Sequence, residues 1–424
     1  MHRQKILVAM VGALAACGSP RAAVVPAPSS SGVRPGIDVL LSDSLSLIRH
    51  ARFGLLSNQA GVDAAGVRDV DRLRTGGLEL VALFSPEHGY RGEADPGAPV
   101  PHATDSTTGL PIYSLYLQNT AGIAAVLAGL DVLLVDLQDV GARYYTYVST
   151  TVAVMRAAAL TGQRVVILDR PNPIGEMVQG NVLDTAFTSF VGIMPVPMRH
   201  GMTLGELARL ANVELAIGAD LTVVPVMGWS PAMDLDQTGL PFIPPSPNLR
   251  TLEALFHYPG LCLFEGTNLS VGRGSDHPFE QVGAPWLDTT KVLARLRAAD
   301  LPGVRFTGVR FRPKHPGDGK YADTKVSGIR LSVTDRSTYD PTATAITMLA
   351  VIRAVHPGSF RWSPAQFDRL AGTDEVRLDL ASGAEPGTVM ESWPGQVQAF
   401  AVRRQAALLY PRIPSRPGTD QASP

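Results

Sequence analysis

The chain has 424 residues, 45% of them apolar and 18% charged, with 37 Lys and Arg set against 38 Asp and Glu. That composition excludes a disordered chain and provides for two or three globular domains. The balanced charge and the lack of any basic run exclude a phosphate footprint, and with it nucleic acid as a partner. Two cysteines, Cys17 and Cys262, are too few for a disulfide framework or a thiolate metal cluster.

In chain order, His2, Arg3 and Lys5 precede the apolar run Ile6 to Leu14, the layout of an export signal and too short to span a membrane. Leu14-Ala15-Ala16-Cys17-Gly18 follows. It resembles a bacterial lipobox, which implies cleavage before Cys17, lipidation of that cysteine and a membrane anchor on the exported side. Residues 18–35, rich in Pro, Ala and Ser, read as a flexible tether. Cys262, within Gly260-Leu261-Cys262-Leu263-Phe264, is expected to be a buried thiol.

Short apolar runs at Phe53–Ser57, Leu78–Phe84, Asp131–Asp136, Arg164–Asp169 and Leu221–Val226 predict buried strands. Helical patterns at Ile123–Ala128, Tyr147–Leu160 and Leu204–Leu215 alternate with them, the last opened by a Thr203/Glu206 capping box. This alternation predicts an α/β fold, a Rossmann-like three-layer parallel-sheet domain over residues 36–285. A smaller α+β domain is expected over 286–410: a helix at Thr289–Ala299, then the segment Val304–Phe311, a loop at Pro313–Thr324, a strand at Gly328–Thr334 and a helix at Thr342–Val355. Residues 411–424 read as a disordered tail.

Each of the first four strands runs into a polar segment: Ser57-Asn58-Gln59, Ser85-Pro86-Glu87-His88-Gly89-Tyr90-Arg91, Asp136-Leu137-Gln138-Asp139-Val140-Gly141-Ala142-Arg143-Tyr144 and Asp169-Arg170-Pro171-Asn172. In an open parallel sheet these segments share the carboxyl edge, where ligands bind. No glycine-rich nucleotide loop, P-loop, Gly-x-Ser-x-Gly elbow or metal-ligand spacing occurs, so no cofactor and no metal is expected. Carboxylate chemistry remains. Glu87, on a Pro-Glu-His-Gly turn, suits a general acid or else a turn cap; Glu265 is a second acid or else a buried partner of Arg273. Arg91, Arg143, Arg199 and Arg273 offer guanidinium forks for a carboxylate-bearing ligand, and Asn58, Gln138, Asn248 and Asn268 offer amides for sugar hydroxyls. Tyr144 and Tyr147 offer stacking faces, while His88 and Asp139 complete the polar edge.

Five segments carry a resemblance: Phe84 to Gly89, Asp136 to Tyr147, Leu168 to Pro173, Pro245-Ser246-Pro247-Asn248 and Phe264 to Gly274. Together and in this order they resemble the DUF1343, NamZ-like family of exo-β-N-acetylmuramidases, from Gly36 to about residue 400. The resemblance implies a Rossmann-like domain and a smaller C-terminal domain with the active cleft between them. It also implies a glycoside hydrolase that removes N-acetylmuramic acid (MurNAc) from the non-reducing ends of peptidoglycan fragments such as MurNAc-GlcNAc. Glu87 falls on the family's Pro-Glu-His-Gly glutamate and is expected to be the general acid. Glu265 is expected as base, nucleophile or stabiliser, with Asp139, Tyr147 or the substrate's own N-acetyl group as alternatives. The chain departs from the family pattern at Ile174-Gly175-Glu176-Met177 and at Ser275-Asp276-His277-Pro278-Phe279, beside Arg273. A wall-binding lipoprotein without activity and a hydrolase of another wall bond stand as the competing classes.

Overall fold

The computed structural model describes residues 32–412. The expected signal, Cys17, residues 18–31 of the expected tether and residues 413–424 of the expected tail lie outside them. Of the tether's remaining residues, Arg34 forms a backbone bridge with Met227, so 32–35 are docked on the body. Arg412, in the expected tail, ion-pairs with Glu206 at 2.9 Å.

Helix α1 (Gly36–Asp43) leads into β1 (Phe53–Ser57), α2 (Asp69–Thr75), β2 (Leu80–Ser85), the short β3 (Ala103–Thr104) and β4 (Pro111–Ser114). Then come α3 (Thr120–Leu127), β5 (Val132–Asp136), α4 (Tyr147–Thr161), β6 (Arg164–Leu168), β7 (Gln179–Val182), β8 (Pro197–Arg199), α5 (Leu204–Glu214) and β9 (Leu221–Val224). Seven of these strands form one sheet in the order β3-β4-β2-β1-β5-β6-β9, parallel except for the β3/β4 pair at its edge; β7 and β8 form a separate hairpin. Successive residues face opposite sides, and both sides are buried. Leu55, Leu134 and Val166 pack with α1 and α2, while Leu56, Val135 and Ile167 pack with α3, α4 and α5. Such continuous apolar runs are what a strand covered on both faces requires. The predicted α/β sandwich is therefore present, and the Thr203/Glu206 box caps α5 as expected.

The chain builds outward from β1 through β2 to β4, then returns to the other side of β1 and builds through β5 and β6 to β9. The connections diverge between β1 and β5. Arg170, two residues past β6, ties this reversal together. Its guanidinium bonds both oxygens of Asp136 at the end of β5 and the carbonyl of Val62 after β1 (2.7 Å), and it lies 3.8 Å from Asp69 at the start of α2. All three side chains are buried. Burial, and then the neighbouring Asp136 carboxylate, push the Asp69 carboxyl well above its usual range.

Helix α6 (Leu252–Leu261) opens on the Thr251 cap and runs into a 3-10 turn at Cys262–Gly266. The second sheet, in the order β10-β12-β11, is antiparallel and comprises β10 (Gln281–Ala284), β11 (Val304–Phe311) and β12 (Val326–Val333). Helices α7 (Thr289–Ala298) and α8 (Pro341–Val355) accompany it, followed by α9 (Pro364–Ala371), α10 (Glu375–Ser382), α11 (Pro386–Val389) and α12 (Trp393–Arg403). These last four were not foreseen. They fold back on the first sheet's surroundings: Arg403 pairs with Glu214 of α5, and the Tyr410 hydroxyl donates to Asp169 beyond β6 at 2.6 Å.

Removing Arg170 strands Asp136 in the interior, so Arg170→Met is expected to lower unfolding free energy by about 3–5 kcal/mol in urea titrations. Asp169 is also buried. It accepts from Thr203, Gly205 and Tyr410, yet burial raises its carboxyl to about 6 despite those bonds. The folded state then holds this proton more tightly than the unfolded state. The associated stability is present below about pH 4 and is lost as pH rises through about 6, a loss of about 3 kcal/mol. Urea titrations across that window are expected to show Asp169→Asn gaining on the parent by that amount, and a constant gap would exclude the assignment.

Candidate active site

β2 ends at Ser85, and the chain turns at once through Pro86, Glu87, His88 and Gly89. The turn closes through Gly89 N–H to Pro86 O (3.1 Å), and it holds His88 at φ 71°, a left-handed conformation that costs a non-glycine residue about 1 kcal/mol or more. Two bonds to Ala94 hold it there: Ala94 N–H donates to His88 O, and His88 Nδ1 lies 2.8 Å from Ala94 O. A carbonyl only accepts, so Nδ1 carries the hydrogen. Burial lowers the imidazole below its usual range against the pull of Glu87, which leaves Nε2 a bare acceptor in the neutral ring.

Both oxygens of Glu87 are oriented. Oε1 accepts the Gly97 amide at 3.0 Å and Oε2 accepts the Thr146 hydroxyl at 2.6 Å. Thr146 occupies the N-cap of α4, but it gives its side chain to Glu87 instead of to its own helix, so the connection after β5 aims the acid after β2. Tyr116, on the connection after β4, borders the same cavity as Glu87. Burial, and then that carboxylate, push its hydroxyl up to about 12 and keep it a donor. The Tyr116 ring meets Phe190 edge-on at 5.7 Å.

Opposite, the 3-10 turn after α6 presents Glu265. Its Oε1 accepts from Arg273 Nε at 2.5 Å, and the Cys262 thiol lies 3.8 Å from Oε2. Cys262 is buried as expected, and burial, then Glu265, push its thiol well up, so it is held as the unreactive thiol. Burial opposes the charge on Arg273, but the Glu265 carboxylate outweighs it. The guanidinium sits 5.0 Å over the Phe279 ring, and its buried Nη1 has no hydrogen-bond partner among the described residues. Glu87, His88, Thr146, Tyr144, Glu265 and Arg273 line one cavity of about 150 Å³.

The other expected site residues fall into two groups. Asn58 and Tyr147 do not line the cavity: Asn58 Nδ2 donates to the Tyr147 hydroxyl (2.7 Å), which donates to Pro245 O (3.0 Å). Asn248 belongs to the Ser246–Leu249 turn, whose end residues line the cavity. The remaining residues serve the scaffold. Arg143, expected to meet ligand, is buried and spends its guanidinium on the carbonyls of Asn181, Val196, Leu370 and Ala371. Arg199 bonds Gln179 and Ile174 O and borders a separate cavity of about 690 Å³. Asn268 bonds Ser359 O and Arg361 N–H, and Gln138 bonds the carbonyls of Asp139 and Pro171. Asp139 accepts from Gly141 N–H and lies 3.2 Å from His200, while the exposed Arg91 pairs with the buried Asp105. Thr146, Tyr116 and Phe190 were missed. Thr146 stands within the Arg143 to Tyr147 motif, whereas nothing local marks the other two. Among the described residues, no three His, Cys, Asp or Glu side chains converge as metal ligands.

Residues 53–253 match the family described as exo-beta-N-acetylmuramidase NamZ, N-terminal, and residues 256–410 its C-terminal counterpart. The chain is 41% identical to the peptidoglycan beta-N-acetylmuramidase NamZ of Bacillus subtilis (strain 168) over 89% of this chain and 91% of that protein. Crystal structures of two DUF1343 family proteins from Bacteroides fragilis NCTC 9343 are similar. One has a TM-score of 0.82 at 31% identity, covering 90% of this chain and all of that one; the other has 0.72 at 33%, covering 90% and 99%. With both halves matched in order and Glu87 and Glu265 lining one cavity, the chain belongs to the exo-β-N-acetylmuramidase NamZ family.

Proposed function

We propose that this protein is an exo-acting glycoside hydrolase that releases MurNAc from the non-reducing ends of peptidoglycan fragments in cell-wall turnover. The observation that carries the reading is the convergence of Glu87, Glu265 and the unpartnered nitrogen of Arg273 on one cavity. In this reading Glu87, aimed by Thr146 and Gly97, gives its proton to the glycosidic oxygen as the bond to the anomeric carbon breaks. Glu265 faces the positive charge that develops on the sugar ring, as base, nucleophile or stabiliser. Arg273 Nη1 bonds the lactyl carboxylate that distinguishes MurNAc from other amino sugars. Lipidation of Cys17 would hold the enzyme on the exported face of a membrane, where wall fragments are released.

Mass spectrometry of MurNAc-GlcNAc digests is the direct test. The purified chain is expected to release free MurNAc, and Glu87→Gln to lower kcat by about 10²–10⁴-fold. An intact disaccharide with the parent would remove the muramidase reading and favour a wall-binding role. Arg273→Met is expected to cut kcat/KM for MurNAc-GlcNAc by about tenfold or more while narrowing its preference over GlcNAc-GlcNAc. An unchanged preference would place the lactyl contact elsewhere.

A further inference from the structure

The connection between β11 and β12, residues 312–325, does not turn back tightly but reaches across to the segment bearing Glu265 and Arg273. Lys314 N–H donates to Gly274 O at 2.7 Å, and the Tyr321 hydroxyl donates to Asn268 O at 2.7 Å. A Cβ at Gly274 would stand 2.4 Å from Lys314 O, so the two backbones meet at glycine distance. Three non-glycine residues of this strap, His315, Tyr321 and Asp323, hold left-handed φ values of 48°, 56° and 53°. Left-handed non-glycine residues persist only where surrounding contacts over-determine them.

Lys320 lies among them. Its Nζ donates to Glu265 O (3.0 Å), Leu269 O (3.1 Å) and Phe264 O (3.4 Å), using all three of its hydrogens. Among the described residues no carboxylate lies within ion-pair distance of it. Its three acceptors are backbone carbonyls at and just past the end of α6 and its 3-10 turn, where the helix leaves orphan acceptors and a negative dipole end. Phe264 O has other donors in Thr267 N–H and Oγ1, but Glu265 O and Leu269 O have no other partner among the described residues. From the other side Gly266 abuts α9, where a Cβ would come within 2.4 Å of Phe367 Cα.

We propose that Lys320 is a positioning residue for the reaction: its ammonium caps the helix end that carries Glu265 and fixes that carboxylate opposite Glu87. The inference rests on the role given to Glu265 above. The side chain of Glu265 is set by Arg273, its main chain by Lys320, and its turn by the contact with α9. A loose turn would still admit substrate but would misplace the carboxylate in the transition state, so the cost falls on kcat and not on KM.

The test is steady-state kinetics of MurNAc release by the full chain, with thermal unfolding as a check on folding. Lys320→Met is expected to lower kcat by about tenfold or more with KM within about twofold of the parent, and Lys320→Arg to recover kcat to within about threefold. Lys320→Gln keeps two hydrogen-bond donors but no charge, and is expected to lose kcat as well. Parent-like kcat in folded Lys320→Met or Lys320→Gln overturns the proposal, as does a loss that Lys320→Arg does not recover. Failure of all three to fold would make Lys320 a folding residue and overturn it too. An inactive parent would remove the muramidase reading together with any role for Lys320, whereas an active parent beside unaffected variants removes the Lys320 role alone.

Discussion

Arg170 holds the point on which the architecture turns. The sheet's connections diverge between β1 and β5, and a crevice opened there would leave the following loops free to drift. The Arg170 fork joins the end of β5 to the loop after β1 and the first turn of α2, while itself hanging from the end of β6. A buried guanidinium–carboxylate pair gains little over an apolar core of the same shape, but leaving either partner alone is expensive. The pair therefore acts as a latch on register.

The active edge is built on that latch by loops that complete one another. Glu87 follows β2, yet its oxygens are aimed by Gly97 further along its own loop and by Thr146 at the start of α4. Glu265 follows α6 and is turned by Arg273 eight residues later. His88 is kept in a costly backbone conformation by two bonds to Ala94. The acids thus arrive through different parts of the chain, and each is oriented by a group from a rigid element or a closed turn.

Much of this was legible in the sequence, for physical reasons. A strand buried on both faces needs an unbroken apolar run, so β1, β2, β5 and β6 stood out, as did the half-buried edge strand β9 and the capped α5. Elements whose stability comes from tertiary packing did not: α6 carries Pro259 within it, and β4 opens on a proline and lies near the sheet's edge. Glu87, His88, Tyr144, Glu265 and Arg273 meet as their placement at element ends suggested. Arg143, Arg199 and Asn268 share the same residue types and neighbourhoods but satisfy backbone carbonyls from distant segments. Which carbonyls lack a partner is decided by the assembled fold, so a ligand-reading arginine and a scaffold arginine look alike in one dimension.

The seam between the two family-matched halves falls between residues 253 and 256, inside α6. A linker at that place would allow the halves to swing apart, whereas a continuous helix transmits any rotation of one directly to the other. Opening by a hinge at the seam would break α6 and displace the Glu265 turn at its end. The cavity itself is framed by loops, with Tyr116 and Phe190 meeting edge-on at its wall.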